Sequence, residues 1–283
     1  MPCYSPWFRE SSVNKRPLSC GRCIGCRLER SRQWAVRCMH EAQLWDKNCF
    51  VTLTYDKDHL PVGGGLVYEH FRLFVRRLRK AARKSDVRFY MCGEYGEARR
   101  RPHYHACLFN WDFDDKVPAG KSGSGFDQFR SPLLERLWTF GRARVSAMNF
   151  ETAAYTARYV CAIEDGKGLE KVYEAVDLET GEVHEVPREF ARMSLRPGIG
   201  ARWYEKFWSD VYPEGEVVVN GHKARAPAYY DRRYRLQNLP GYFSMLEKRH
   251  LQSVEGIPET MPDRLGARQV VTEARLGLSK RSI

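Results

Sequence analysis

Two histidines one residue apart are the first residues of this chain whose spacing could support chemistry. His103 and His105 stand in the stretch "RPHYHACLF" (residues 101–109), which is rich in strand-forming residues. Alternate side chains of a β-strand point to the same face, so both imidazoles would lie on one face, about 7 Å apart. Two imidazoles on one face supply half of a metal site. The spacing alone, however, is more typical of solvent-facing or hydrogen-bonded histidines without a metal.

A carboxylate from the neighbouring strand would complete the site. The stretch "VRFYMCGEYG" (87–96) predicts a strand that a short charged turn joins to the histidine strand as a hairpin. Glu94 lies in this partner strand and is the favoured third ligand, whereas Glu97 in the turn is the weaker candidate. Two histidines and a carboxylate with open positions suit Mg²⁺ or Mn²⁺ holding a phosphate better than a closed zinc site.

A pair of tyrosines supplies a possible nucleophile. Tyr155 and Tyr159 are four residues apart in "ETAAYTARYVCAI", so they share one helix face, with Arg158 beside them. Tyrosines at helical spacing are usually core residues. In a chain that also carries candidate metal ligands on a sheet, however, the two tyrosines indicate another chemistry. A phenol can attack a phosphodiester that a metal polarises, which leaves a covalent phosphotyrosine.

The cysteines form a second candidate metal site. Nine cysteines without a secretion signal do not indicate a disulfide framework, and three of them stand in "CGRCIGC" at two-residue gaps. A tetrahedral zinc site needs a fourth ligand. Reduced cysteines that pack a turn before a helix are the alternative. The three spaced cysteines are Cys20, Cys23 and Cys26, and the candidates for the fourth ligand are Cys3, Cys38 and His40.

The charge of the chain predicts a polyanionic partner. Lys+Arg number 47 against 35 Asp+Glu, a formal net charge of +12. Residues 67–84 predict an amphipathic helix whose polar face is basic, although a basic face that only contacts solvent would give the same pattern. A second basic cluster, Arg99, Arg100 and Arg101, directly precedes the histidines. No apolar run is long enough to span a bilayer, and the N-terminus lacks the apolar core of a signal peptide, so we expect no membrane partner and a cytosolic location.

The elements that must position these residues follow in a regular order. The strand "CFVTLTY" (49–55) precedes the basic helix, the hairpin, a helix opened by Ser131, the strand "GRARVSAM" (141–148) and a helix capped by Asn149. This order predicts an α+β fold of split βαβ type, with a central antiparallel sheet and helices packed on one face. A helix over 27–45 precedes it, residues 165–192 form an insertion or hairpin away from the core, and a later hairpin turns at Asn220–Gly221.

Three motifs in this order resemble a known family. "FVTLTY", "RPHYH" and "YTARY" look like motifs one, two and three of rolling-circle replication initiators, the HUH endonucleases. With "CGRCIGCRLERSRQWAVRCMHEA" upstream and "MSLRPGIGARWYEKF" downstream, about the first 230 residues resemble initiators of microviruses, specifically the gokushovirus-like branch. One position between the two tyrosines, occupied here by Arg158, is often Lys in related initiators. Arginine at this position can hold a phosphate but is a poor proton donor.

The resemblance implies a mechanism and a ferredoxin-like or RRM-like HUH core. His103, His105 and Glu94 would hold a divalent metal against the scissile phosphate of single-stranded phage origin DNA. One tyrosine would attack, leaving a 5′-phosphotyrosine and a free 3′-OH for the host polymerase and helicase in the bacterial cytoplasm. The second tyrosine would serve the later rejoining of the ends. Arg100, Arg101 and Arg158 would contact the DNA backbone.

We expect the chain to divide into four segments. They are a Cys-rich turn and basic helix (1–48), the nuclease core (49–164), an insertion and hairpin packed on the core (165–240) and a C-terminal tail (241–283). Two rival functions stay open. A non-catalytic, zinc-containing single-stranded DNA-binding protein would explain the charge and the cysteines, but not the histidine and tyrosine spacing. A transposase or plasmid relaxase of the same superfamily would share the motifs.

Overall fold

The computed structural model describes residues 3–8, 17–83, 86–96, 100–123, 125–162, 172–176, 181–255 and 260–278, without the side chains at 8, 17, 158–162, 172 and 255. The strands in these ranges are β1 (Trp7–Phe8), β2 (Pro17–Leu18), β3 (Asn48–Tyr55), β4 (Arg88–Tyr95), β5 (Pro102–Phe109), β6 (Val117–Lys121), β7 (Asp127–Arg130), β8 (Gly141–Ser146), β9 (Val172–Val176), β10 (Val183–Pro187), β11 (Phe190–Met193), β12 (Glu216–Val219) and β13 (His222–Arg225). The helices are α1 (Ile24–Ala42), α2 (Tyr68–Ala82), α3 (Pro132–Leu137), α4 (Phe150–Ala162), α5 (Ala201–Val211), α6 (Ala228–Gln237), α7 (Leu239–Glu255) and α8 (Pro262–Leu278).

A seven-stranded antiparallel sheet organises the molecule. Its strand order is β11-β4-β5-β3-β8-β7-β6. The inner strands β4-β5-β3-β8, connected through α2 and α3, have the order and connections of a split βαβ unit. The predicted α+β fold with a central antiparallel sheet is therefore confirmed, and β3 lies directly beside the histidine strand β5.

One face of the sheet is covered by α2 and α3. The apolar residues of α2 recur at helical spacing, so Phe71, Phe74 and Leu78 all point at the sheet and are fully buried there. Each such side chain contributes about 1.5–3 kcal/mol through the apolar surface that it removes from water. Ser131 caps α3 as predicted, because its hydroxyl accepts a hydrogen bond from the Leu134 amide at 3.0 Å.

The opposite face is covered by α1 and α4, whereas the sequence placed the helices on one face only. Both faces of the central strands are apolar near their middle, so both need a cover. Alanines bring the two helices close, and the Ser31 hydroxyl of α1 donates a hydrogen bond to the Ala154 carbonyl of α4 at 2.8 Å. The buried members of this second layer are Ala35, Cys38, Phe50, Tyr90, Cys107, Phe109, Ala153, Ala157 and Ile199.

A buried ion pair joins distant parts of the chain. The Glu41 side chain of α1 is wholly buried, and its Oε1 lies 2.7 Å from Nε of Arg88 in β4. Its second oxygen accepts a hydrogen bond from the Gly200 amide at 2.7 Å, at the start of α5. Arg37 Nε donates to the neighbouring Ile199 carbonyl at 3.0 Å. Since both charges have partners, their burial is tolerated.

The remaining elements lie around this core. Asn220 and Gly221 both have positive φ in the turn between β12 and β13, as the predicted hairpin requires. Within 165–192 the described residues form the β9–β10 hairpin and most of β11, which joins the edge of the main sheet. The domain boundaries at 48, 164 and 240 stay a prediction. Among the described helices, none combines the length and apolar character needed to cross a membrane.

Candidate active site

The β4–β5 hairpin brings three metal-ligating side chains together. Its register sets Glu94 directly opposite His103, and His105 follows on the same face. The Nε2 atoms of His103 and His105 lie 2.7 Å and 3.1 Å from the same atom, Glu94 Oε1. The two residues at which the sequence placed imidazole ligands therefore meet the favoured carboxylate at one point.

Burial strengthens the electrostatic coupling of these groups. Glu94 and His105 are each only 2% exposed. Burial would raise the pKa of Glu94, but hydrogen bonds and charge from the two histidines lower that pKa well below its usual value. Burial lowers the pKa of His105, and Glu94 offsets this only in part. Burial acts the same way on His103, yet there the Glu94 carboxylate prevails and the pKa of His103 is raised.

Each imidazole is oriented through its second nitrogen. His103 Nδ1 lies 3.0 Å from the Arg101 carbonyl, which can only accept, so this nitrogen carries a proton and Nε2 faces the site. His105 Nδ1 lies 3.0 Å from the Thr52 hydroxyl, which can either donate or accept. Such outer partners commonly fix the ring orientation of metal-binding histidines. Thr52 was not identified from the sequence, because its contact depends on the register in which β3 pairs with β5, which sets Thr52 opposite His105.

Tyr155 joins the same carboxylate from the helix above. Its hydroxyl donates a hydrogen bond to Glu94 Oε1 at 2.8 Å, and its side chain is only 7% exposed. The start of α4 is fixed by the predicted cap, since Asn149 Oδ1 accepts from the Thr152 amide at 2.8 Å. The cap fixes where α4 begins, and Tyr155 lies in its second turn.

The structure does not describe the side chains of three predicted residues. Tyr159 and Arg158 belong to the last turns of α4, but their side chains are not described, and Glu97 falls in the undescribed turn after β4. Their predicted roles stay predictions.

The donor set fits a divalent metal ion. Two imidazole nitrogens and a carboxylate are ligands that suit Mg²⁺, Mn²⁺ and related ions, and their ligand atoms lie within 4.8 Å of one another. Glu94 Oε1 receives three contacts, whereas the buried Glu94 Oε2 has no hydrogen-bond partner among the described residues. A buried carboxylate oxygen without a partner is costly unless something else satisfies it, as a cation would.

The predicted DNA-contacting arginines differ in position. Arg101 is half-buried, and its guanidinium donates to the Tyr55 carbonyl at 3.3 Å. Arg100 is exposed and lies over the rings of Tyr95 and Tyr173, at 5.6 Å and 5.2 Å from their centres.

Two further arginines share the histidine face. Arg142 and Arg144 of β8 pair with Thr54 and Thr52 of β3, so they lie two strands, about 10 Å, from the histidine strand. Arg142 is exposed and Arg144 half-buried. The alternation in "GRARVS" was the signal that could have revealed them.

A second group of metal-ligating side chains lies at the start of α1. The sulfur atoms of Cys3, Cys20, Cys23 and Cys26 are all within 4.8 Å of one another. The other two candidates for a fourth ligand lie elsewhere. Cys38 is buried against the sheet, and His40 stacks on Trp203 with ring centres 3.5 Å apart.

Comparison with known proteins identifies relatives over most of the chain. Residues 48–163 match the family described as replication-associated protein ORF2/G2P. Replication-associated protein VP4 of Bdellovibrio phage phiMH2K is 30% identical over 245 residues, covering 83% of this chain and 73% of the relative. Replication-associated protein ORF2 of Spiroplasma virus 4 is 31% identical over 231 residues, covering 76% and 67%. Replication-associated protein ORF4 of Chlamydia phage 1 is 28% identical over 223 residues, covering 76% and 52%. No solved structure matches the chain.

Proposed function

This chain belongs to the family of phage replication-associated proteins, the microvirus rolling-circle initiators, and on that premise we propose that it nicks single-stranded origin DNA through a metal-assisted tyrosine attack. The reaction would take place in the cytoplasm of the bacterial host.

One observation carries the proposal. The Tyr155 hydroxyl and the two histidines all contact Glu94 Oε1, at 2.8, 2.7 and 3.1 Å. A nucleophile at hydrogen-bond distance from a metal-ligating carboxylate can reach a phosphate held by the same ion. A tyrosine in the core for packing alone would not need its hydroxyl at this point.

Glu94, His103 and His105 would hold the metal ion, Mg²⁺ or Mn²⁺, with their chelating atoms facing one another. When bound, the ion would polarise the scissile phosphate and offset the charge that develops on it. The Arg101 carbonyl and the Thr52 hydroxyl keep the imidazoles in position during the reaction.

The proposed step conserves the phosphodiester bond energy. The tyrosine oxygen, having lost its proton, forms a bond to phosphorus as the bond from phosphorus to the 3′ oxygen breaks. The leaving oxygen takes up a proton and becomes a 3′-OH, which a host polymerase can extend while a host helicase opens the duplex. The 5′ phosphate stays on the enzyme, so rejoining the ends needs no ATP.

The second tyrosine of the motif would act in the later stage of the reaction, when the ends are rejoined. Tyr159 follows Tyr155 by four residues in α4, which is one helical turn. If its phenol reaches the same metal, it can cut the regenerated origin while the released 3′-OH attacks the first phosphotyrosine. This exchange would close a circle and leave the enzyme loaded for another round.

Positive charge around the site supports a path for the DNA strand. Arg142 and Arg144 line the histidine face on one side, and Arg101 lies at the start of the histidine strand. Arg100 is exposed beside it, and Arg158 follows in α4. Guanidinium groups at such positions bind phosphates without reading the bases.

The non-catalytic DNA-binding alternative explains less. It accounts for the charge and the cysteine group, but it provides no reason for a buried carboxylate that receives a phenol and two imidazoles.

Adduct formation tests the proposal directly. The protein is incubated with Mn²⁺ and labelled single-stranded oligonucleotides tiled across the genome that carries its gene. We expect a protein–DNA adduct that survives denaturation, and peptide mass spectrometry should find phosphotyrosine at position 155 or 159. No adduct with any oligonucleotide would refute the nuclease proposal.

Variants separate the roles. Replacing His103 and His105 with alanine should abolish the adduct and leave salt-dependent DNA binding largely intact, whereas full cleavage in that variant would rule the site out. Tyr155→Phe and Tyr159→Phe should each retain some single cleavage but lose the linked cutting and joining, and the double variant should form no adduct. One dead and one fully normal single variant would instead indicate a single nucleophile.

A further inference from the structure

Four cysteines form a group with the size of a single-ion site. All four sulfurs lie within 4.8 Å of one another, with 3.9 Å between Cys20 and Cys26 and 4.0 Å between Cys3 and Cys23. Four sulfurs held tetrahedrally around one zinc ion at about 2.3 Å are separated by roughly 3.8 Å. Both of these measured separations, 3.9 Å and 4.0 Å, are close to that value.

Backbone amides point at the sulfurs. The amides of Tyr4 and Cys20 donate to Cys23 Sγ and Cys3 Sγ, both at 3.2 Å, and the Cys23 amide donates to Cys20 Sγ at 3.3 Å. Amide hydrogen bonds of this kind stabilise the negative charge of metal-bound thiolates. Gly21, with φ of +76°, allows the tight turn that directs them.

Other cysteine chemistry fits the group less well. A disulfide would bring one pair of sulfurs to about 2.05 Å and leave the pairs distinct, whereas here the four sulfurs share one cluster. An iron–sulfur cluster spreads its four cysteines over two or four irons and so needs more space between the sulfurs than a single ion does. We propose that Cys3, Cys20, Cys23 and Cys26 bind one structural zinc ion.

The ion would hold together a part of the chain that has little core. β1 and β2 have two residues each, and Trp7 and Leu18 are 51% and 39% exposed, so apolar burial contributes little there. Zinc would fasten this segment to the first turn of α1, where Cys23 is the cap and Cys26 follows. Metal binding would then supply folding free energy that the side chains cannot.

The zinc site also connects to the far end of the described chain. The Tyr4 hydroxyl, next to Cys3, forms a 2.8 Å hydrogen bond with the Thr272 hydroxyl of α8. Through this contact the ion steadies α8 against α1. With four protein sulfurs around it, the ion has no open position for a substrate, so its role is structural.

The metal content of the full-length protein tests the inference. The protein is purified with a thiol reductant and without chelator, and its metals are measured by mass spectrometry. We expect about one zinc per chain, and exchange with Co²⁺ should produce the visible bands of a tetrahedral thiolate complex. Less than about a tenth of a zinc per chain after refolding with zinc, or bound iron and inorganic sulfide, would overturn it.

Matched variants identify the fourth ligand. Cys3→Ala should lower zinc affinity at least tenfold in competition with a chelator, and Cys38→Ala, the control in the core, should keep the parent affinity. If Cys3→Ala does not fold, Cys3→His restores a ligand atom and should bind zinc again. Parent affinity in Cys3→Ala would exclude Cys3. The result is independent of nicking: a zinc-free but active protein contradicts only this inference, and a zinc-bound but inactive protein contradicts only the proposed function.

Discussion

Replacing Thr52 with valine removes one hydroxyl from the outer layer of the candidate active site, and we expect it to weaken Mn²⁺ binding about tenfold. Thr52 Oγ1 lies 3.0 Å from His105 Nδ1, and His105 is too buried for water to replace the lost contact. Valine keeps the shape of the side chain and its preference for a strand. The change therefore tests the hydrogen bond rather than the packing.

The magnitude follows from the difference between the metal-bound and metal-free states. Without metal, the Thr52–His105 contact is a neutral hydrogen bond, worth about 0.5–1.5 kcal/mol. With metal, the imidazole is polarised by the cation, and the same contact is worth about 1.5–3 kcal/mol. The difference of roughly 1–1.5 kcal/mol corresponds to about a tenfold change in affinity.

Mn²⁺ affinity is measured by calorimetry or from the paramagnetic resonance of the free ion, on variants shown to be folded. Thr54→Val is the matched control, because Thr54 faces His103, whose Nδ1 is held by the Arg101 carbonyl. Thr52→Ser should restore the parent affinity. Parent affinity in Thr52→Val, or an equal loss in Thr54→Val, would refute the reasoning.

Three further predictions concern charge. Glu94 raises the pKa of His103 above 6.5, so below that pKa Mn²⁺ must displace a proton from His103 in order to bind. The affinity of the protein for Mn²⁺ should therefore fall by about one decade per pH unit below that pKa. Binding that calorimetry finds to be independent of pH would contradict this. Burial lowers the pKa of His40 to about 4, so between pH 6.5 and 4 only the unfolded state takes up this proton, and about 3 kcal/mol of stability should be lost as pH falls. Urea unfolding of His40→Asn should show a correspondingly flatter pH dependence, and the same slope as the parent would exclude His40 as the cause. Replacing Arg142 and Arg144 with glutamine should weaken single-stranded DNA binding. The slope of log affinity against log salt concentration should become shallower by the amount expected for the loss of about two phosphate contacts. An unchanged slope in filter binding would disprove this.

Local sequence patterns predicted the inner sheet because each element carried its own signal. Strand β3 is rich in β-branched and aromatic residues, β4 and β5 contain aromatic residues, and α2 has a clear apolar stripe. The strands β6 and β11 lacked such signals: "VPAGK" contains proline and glycine, and "FARM" is too short to show a period. In α7 and α8 the apolar residues are scattered, and Leu251 and Val270 are largely exposed, so no periodicity marked these helices.

The same limit applies to the candidate site. Strand periodicity was enough to place His103, His105 and Glu94 on one face, because that relation is local to one hairpin. Thr52 and the choice of Cys3 over Cys38 depend on contacts between segments far apart in the chain. No local pattern carries that information.

The ion pair between Glu41 and Arg88 bears on any attempt to shorten this protein to the segment that matches the family. The segment that matches the family, 48–163, retains Arg88 but omits both Glu41 and Gly200. A fragment cut to that match would lose the counter-charge of Arg88 and also α1, whose Ala35 and Cys38 pack on Phe50, Tyr90, Cys107 and Phe109 of the sheet. The folding unit therefore extends beyond the matched segment on both sides, and a shortened chain should keep at least α1 through α5.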